Sequence, residues 1–185
     1  PLVNTIGKEG MGYYSFAYSV YAIMLLLSSY SLPLAVSKMI SARMSRQSYV
    51  NVSRIFKAAM IYATVVGFAG CFITYFSAGL FANLFFKTPY TEFALKTLAP
   101  TIWIMAYLGV FRGYYQGHAT MIPTAVSQII EQVINAVVSI VAAHRLSQYA
   151  LEHQKEASEV SSYGAAGGTI GTGTGALSAL LFLVL

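Results

Sequence analysis

The sequence predicts an all-α fold, a polytopic bundle of transmembrane helices, and three observations lead to that prediction. Residues 10–37, 58–86 and 160–185 contain no Asp, Glu, Lys or Arg. Two further apolar stretches, 97–115 and 119–143, each contain a single charged residue. Charged residues make up only 9% of the chain, whereas they make up about a quarter of a soluble domain. Because about 20 apolar residues cross the hydrocarbon layer as a helix, each stretch is long enough to span it.

The first predicted span covers residues 13–40 and contains Pro33. Proline lacks a backbone donor, so we expect a kink within one long helix, as membrane helices tolerate. The alternative is a helix that ends near Leu32 and a new helix that begins at Pro33. A link rich in Ser and Arg follows at 41–54, and we expect a short helix there that lies at the membrane interface.

Four more spans are predicted at 56–81, 93–115, 122–144 and 165–185. The connection 145–163 is rich in helix-forming residues, so we expect it to be helical. No soluble domain is inserted, and residues 1–185 form a single transmembrane region. The chain begins without Met and ends inside an apolar run, so we expect an internal piece of a longer membrane protein, incomplete at both ends.

The charges of the connections predict the orientation of the chain. The segment 38–57 and the tight turn 112–120 contain basic residues and no acid, whereas 87–96 and 145–163 contain both. Lys and Arg are retained on the cytoplasmic side of a membrane. We therefore expect the 41–54 and 112–120 connections to be cytoplasmic and the other two to be external.

The net charge of +5 does not indicate a nucleic-acid partner. Its excess lies in the link after the first span, where it can contact the anionic headgroups of membrane lipids. Basic residues interleaved with aromatic ones, which are typical of single-strand binding, do not occur outside the spans.

Two ladders of glycine predict close helix packing. The members of each ladder are four residues apart, so they lie on one helical face and allow a neighbouring backbone to approach. The first ladder is Gly109, Gly113 and Gly117, and the second is Gly167, Gly171 and Gly175.

A polar stripe in the fourth span is the strongest candidate for a functional site. Its members have the spacing i, i+3, i+4, i+7, which places them on one helical face. An ionisable group within the bilayer costs about 2.5–3.5 kcal/mol, so it normally faces the bundle interior or a wet cavity. The stripe therefore predicts either a cavity wall or a structural polar network. It consists of Gln128, Glu131, Gln132 and Asn135.

Two cations are candidate partners of this stripe. Arg112 lies near the inner end of the third span and is the expected partner of Glu131. Lys38 lies at the inner end of the first span and is either a second cavity cation or an anchor whose head reaches the interface. The carboxylate of Glu131 suits the binding of a coupling H⁺ or Na⁺, and nothing in the sequence predicts another cofactor.

The sequence does not predict an enzyme. No nucleophile with an adjacent base is discernible, so we identify no catalytic residue. The three histidines, His118, His144 and His153, lack the spacing of metal ligands, and we predict no metal site.

Two stretches resemble a known family. Residues 7–41 resemble the second helix and preceding loop of the polysaccharide and lipid-linked oligosaccharide flippases, and residues 111–138 resemble their fourth and fifth helices. The runs RGYYQG at 112–117 and PTAVSQ at 123–128 are typical of the stage V sporulation protein B-like branch. That branch belongs to the multidrug and oligosaccharidyl-lipid exporter superfamily, together with the lipid II flippases and the MATE-like drug extruders.

The resemblance implies a fold of about 12–14 spans in two pseudo-symmetric bundles around a central cavity, with alternating access. This chain would supply helices two to five and the start of six, within the N-terminal bundle, beside the remaining helices of the parent chain. The substrate implied is a lipid-linked oligosaccharide. Matching motifs place Lys38, Arg112, Gln128 and Glu131 at the cavity.

The chain departs from the family pattern in one respect. Lipid II flippases use several cavity arginines to bind pyrophosphate, whereas the predicted spans hold only Arg112, near an inner end. The exact substrate therefore stays open.

Three functions compete. The first is a flippase of undecaprenyl-linked cell-wall or polysaccharide precursors in the bacterial plasma membrane. The second is a drug or metabolite antiporter coupled to protons or sodium. The third is a non-transporting membrane scaffold, for which the basic link and not the polar stripe would be essential.

Overall fold

The computed structural model describes residues 2–28, 31–84, 90–153 and 155–185, and all regular secondary structure among them is helical. Within these residues, four helices are long and apolar enough to cross a membrane, namely α3 to α6. The predicted all-α, polytopic fold is therefore confirmed. The helices are α1 (Leu2–Ser28), α2 (Leu32–Met44), α3 (Tyr49–Leu84), α4 (Thr91–Gly117), α5 (Ile122–Glu152) and α6 (Ala157–Val184).

The first predicted span, 13–40, differs from the structure. Its described residues belong to two helices, α1 and α2, and residues 29 and 30 lie outside the described part. Pro33 lies in the first turn of α2, where its missing N–H would have no helical partner in any case. The structure therefore agrees with the alternative, in which a new helix begins at the proline, and not with one long helix kinked there. With 13 residues, α2 is about 20 Å long, too short to cross the bilayer alone.

The predicted connections are shorter in the structure, because the helices continue past the apolar stretches. Instead of a separate helix within 41–54, a turn at 45–48 joins α2 directly to α3, with Gln47 in the left-handed region at φ 53°. Most of the connection 145–163 is helical, as extensions of α5 and α6. Residues 87–89 of the connection 87–96 lie outside the described residues.

The helix α4 lies at the centre of the described bundle. On one side its residues Leu95, Leu98 and Ile102 pack with Tyr21 of α1 and Ala165 of α6. On another side Ala106 and Val110 pack against α2 and α3, and Leu108 packs against the end of α6. Many of these buried side chains are alanines. Small residues suit helix packing in lipid, because association there relies on close contact and not on exclusion of water.

Each glycine ladder lies against one neighbouring helix. A methyl group added at Gly113 of α4 would lie 2.7 Å from the carbonyl oxygen of Pro33 in α2. One added at Gly167 of α6 would lie 2.6 Å from the carbonyl oxygen of Ala142 in α5. Because a real Cβ cannot come so close to another backbone, these contacts exist only with glycine. The ladders fix α2 against α4 and α5 against α6.

Replacing Gly113 by Ala should destabilise the protein, whereas Gly12→Ala should not. The added methyl at Gly113 overpacks the contact with α2, which costs about 1–3 kcal/mol. A methyl at Gly12 in α1 meets no atom within 4 Å and only gains helix propensity. Thermal unfolding of the full-length protein in detergent compares the two variants. An unchanged melting temperature for Gly113→Ala would contradict the close approach of α2 and α4.

The turn 45–48 and the start of α6 should be labelled from opposite sides of the membrane. The basic link predicts that a cysteine at Ser45 faces the cytoplasm, and the mixed connection predicts that one at Ala157 faces outside. Both positions are exposed. The measurement is labelling of each single-cysteine variant by a membrane-impermeant maleimide in intact cells, with Cys71 replaced by Ser. Labelling of both positions from the same side would refute the orientation.

Candidate functional site

A salt bridge joins α4 to α5 inside the bundle. The Nη2 atom of Arg112 donates a hydrogen bond to Oε2 of Glu131 at 2.7 Å. The two side chains are only 12% and 13% exposed. Both belong to helices that can cross the membrane, where an unpaired charge is costly. The sequence pattern suggested this partner for Glu131, and the structure brings the two residues together.

A buried hydroxyl completes the contacts of the arginine. Nε of Arg112 donates to Oγ of Ser127 at 3.1 Å, and that hydroxyl donates its own proton to the carbonyl oxygen of Thr124 at 2.7 Å. The serine lone pairs are therefore directed at the guanidinium. The sequence analysis missed Ser127. Its position one turn before Glu131, on the same helical face, is the signal that marks it.

The ion pair borders a cavity of about 320 Å³ between α1, α2, α4 and α5. Arg112 and Gln116 from α4 and Gln128 from α5 supply its polar groups. Gln116 is a second residue that the sequence analysis missed. The other walls are apolar or small and consist of Leu25, Pro33, Met105 and Gly109.

The four predicted residues of the polar stripe have different surroundings. Glu131 pairs with Arg112, and Gln128 lines the cavity. Asn135 lies at the interface with α6, where its Oδ1 is 2.8 Å from Oγ of Ser139. Gln132 is exposed and does not line the described cavity. The stripe thus divides between a cavity wall and a structural interface.

The second candidate cation, Lys38, does not join this site. Its side chain is exposed on α2, and it is not among the described residues that line the cavity. It also takes no part in the ion pairs found in the described part of the chain.

The glycine ladder of α6 packs against the backbone of α5 at the level of Glu131. A methyl group added at Gly175 would lie 2.5 Å from the carbonyl oxygen of Glu131. About two turns away, Oγ of Ser139 donates a hydrogen bond to the carbonyl oxygen of Gly168 at 2.7 Å. The backbone of α5 is therefore held at the level of the ion pair.

Two other ion pairs lie at the opposite end of the bundle. Glu92 and Lys96 are 2.6 Å apart, and Lys155 and Glu159 are 3.2 Å apart. The hydrogen bond to Glu159 raises the pKa of Lys155 above its ordinary value. The side chains of both pairs are about a third exposed, so solvent screens the attraction and the pairs contribute little to stability. Among the described residues, no group of three His, Cys, Asp or Glu side chains could hold a metal ion.

The fold and site define a class: a polytopic membrane protein with a salt bridge beside a cavity between its helices. The chain belongs to the family described as polysaccharide biosynthesis protein, which matches residues 1–153. This finding confirms the resemblance noted in the sequence.

Two curated relatives come from Bacillus subtilis strain 168. Lipid II flippase MurJ is 31% identical over 84 residues, which cover 45% of this chain and 15% of that protein. Stage V sporulation protein B is 28% identical over 112 residues, which cover 60% of this chain and 22% of that protein. The chain thus spans a small part of the length of either relative. No solved structure matches it. The apolar helices and these relatives identify a multi-pass protein of the plasma membrane.

Arg112→Gln should destabilise the protein more than the double variant Arg112→Gln, Glu131→Gln. The single change leaves a carboxylate unpaired inside the bundle, which costs about 3–5 kcal/mol. The double change removes both charges, so part of the loss returns. Thermal unfolding of the full-length protein measures both. The control is Arg145→Gln, an exposed arginine of α5 that should shift stability by at most about 0.5 kcal/mol. Strictly additive losses would show that the pair is energetically uncoupled.

Proposed function

We propose that this chain contributes the cavity of a flippase that moves undecaprenyl-linked cell-wall or polysaccharide precursors across the bacterial plasma membrane. The observation that carries the proposal is Arg112, an arginine held inside a membrane bundle at the edge of a cavity. Membership of the polysaccharide biosynthesis family supports it, as does similarity to a protein named lipid II flippase. The undecaprenyl tail would stay in the bilayer while the polar headgroup passes the cavity.

Arg112 suits the diphosphate of such a substrate. A guanidinium has five N–H donors, and the contacts with Glu131 and Ser127 use two of them. The remaining donors can bind phosphate oxygens in the paired geometry that arginine favours. Gln116 and Gln128 offer amide groups to sugar hydroxyls or further phosphate oxygens. At about 320 Å³ the cavity is at the small end for ligand sites, so it suits a diphosphate better than a complete oligosaccharide.

Glu131 has a different role in this proposal. While the cavity is empty, its carboxylate neutralises Arg112 and makes a charged site tolerable inside the bilayer. An arriving phosphate competes with the carboxylate for the same guanidinium. The released carboxylate can then take up a proton or a sodium ion. Binding and release of that cation would bias the protein between inward-facing and outward-facing conformations, because a ligand shifts an equilibrium only through different affinities for the two states.

A coupled antiporter of drugs or metabolites is the second candidate, and the same carboxylate favours it. In that function Glu131 would bind the coupling cation directly, and Arg112 would serve only to position it. The two functions differ in whether binding of the substrate requires Arg112. A flippase needs Arg112 for an anionic headgroup, whereas an antiporter of cationic drugs gains nothing from it.

The test is translocation of a labelled undecaprenyl-pyrophosphate oligosaccharide by the full-length protein in proteoliposomes, with a proton or a sodium gradient. Arg112→Gln should lower the rate about tenfold or more, since a hydrogen bond to a charged group contributes about 1.5–3 kcal/mol. Glu131→Gln should lower the rate and reduce its dependence on the gradient. The matched control is Glu152→Gln, which removes an exposed carboxylate at the end of α5 and should leave the rate unchanged.

The outcomes separate the hypotheses. Activity that survives Glu131→Gln with the same gradient dependence would limit this residue to packing. Absence of translocation by the unmodified protein under both gradients would refute the flippase. In that case, drug efflux that depends on Glu131 would indicate the antiporter. A phenotype that depends on Arg43, Arg46 and Arg54 but not on the ion pair would indicate a scaffold.

A further inference from the structure

A second cavity lies between α2 and α3, lined by residues other than those of the ion-pair cavity. It is a groove of about 320 Å³, and no charged residue lines it. Val36 and Ala59 form its buried floor. Its exposed walls are Ala35 and Met39 from α2 and Ala58 and Tyr62 from α3. The groove lies beside α3, a helix long and apolar enough to cross the membrane, so its apolar lining suits an apolar occupant.

Two arginines lie at one end of the groove. Arg43 follows Met39 by one helical turn, and Arg54 precedes Ala58 by one turn, so each lies just beyond the groove on its own helix. Both side chains are exposed. Neither belongs to an ion pair in the described part of the chain. The first turn of α3 contains no acidic residue that would neutralise Arg54.

This arrangement matches the chemistry of the inner leaflet. The turn 45–48 between the two helices is on the predicted cytoplasmic side, and the cytoplasmic leaflet carries anionic lipids. From Leu32 to Met39 the groove extends about 10 Å along α2. One leaflet is about 15 Å deep, so the groove fits part of an acyl chain whose headgroup lies at the arginines.

We propose that the α2–α3 groove binds one anionic phospholipid of the cytoplasmic leaflet. Its acyl chain lies between Met39 and Tyr62, and Arg43 and Arg54 bind its phosphate. A polyprenyl chain is several times longer than the groove, which favours a membrane phospholipid as the occupant. The helix α2 lines both cavities, because its Pro33 borders the ion-pair cavity. A lipid in the groove therefore supports the helix that separates the groove from the ion-pair cavity.

Native mass spectrometry of the full-length protein tests this proposal, and it does not depend on transport. The probes are phosphatidylglycerol and phosphatidylcholine with identical acyl chains. We expect one phosphatidylglycerol bound about tenfold more tightly than phosphatidylcholine, because each arginine near the surface attracts anionic lipid. The double variant Arg43→Gln, Arg54→Gln should lose this preference. The control is Arg145→Gln, at the opposite end of the bundle, which should keep it.

Groove-filling variants test the apolar part. Ala58→Trp and Ala35→Trp fill the groove from opposite walls and leave the arginines in place, so each should reduce retention of phosphatidylglycerol. Melting temperatures show which variants are folded, and either one suffices for the test. Full retention by a folded filled variant would overturn the groove as the site. Displacement of phosphatidylglycerol by equimolar undecaprenyl phosphate would assign the groove to the substrate lipid. Absence of retained phosphatidylglycerol would mean that protein covers the groove, and the proposal would be wrong.

Discussion

The ion pair between Arg112 and Glu131 is the constraint on which the rest of the site depends. Inside a bilayer neither charge is tolerated alone, so α4 and α5 must present these residues to each other at one depth. Residues 118–121 join the two helices, and this short connection lets Arg112 and Glu131 meet across it. Ser127 then holds the guanidinium in one orientation, with donors left over at the cavity. A polar site in an apolar bundle therefore requires a fixed register between two helices.

Close packing through glycine supplies that register. Gly175 places the backbone of α6 against the carbonyl of Glu131, and Gly113 places α4 against Pro33. Neither contact supplies a functional group to the site, but each restricts the movement of a helix that carries one member of the ion pair. Larger side chains at these glycine positions would separate the helices. The geometry of the ion pair therefore depends on both ladders. The cavity lies between α4 and the two helices that the ladders fix, α2 and α5, and α1 forms its remaining wall.

The sequence predicts the helical class and the pairing of Arg112 with Glu131, because both follow from charge placement along the chain. It predicts less well where helices end. A proline within an apolar run is compatible with a kink or with a new start, and only packing decides between them at Pro33. The stripe spacing covers a wide arc of α5, so it includes the exposed Gln132 with Glu131. Ser127 is one of many serines, and its position one turn before Glu131 is a weak signal until α4 is placed beside it.

Charge balance explains why a flippase with this site would need a coupling cation. A diphosphate carries more negative charge than Arg112 alone can compensate, and the carboxylate of Glu131 beside it would repel it. Like charges brought together in a low-dielectric site are strongly unfavourable, so one of them must be neutralised. The simplest event is uptake of a proton or a sodium ion by Glu131 as the phosphate takes its place on the guanidinium. In the proposed function, coupling would follow from placing one arginine and one carboxylate at the same cavity, and it would require no separate cation site.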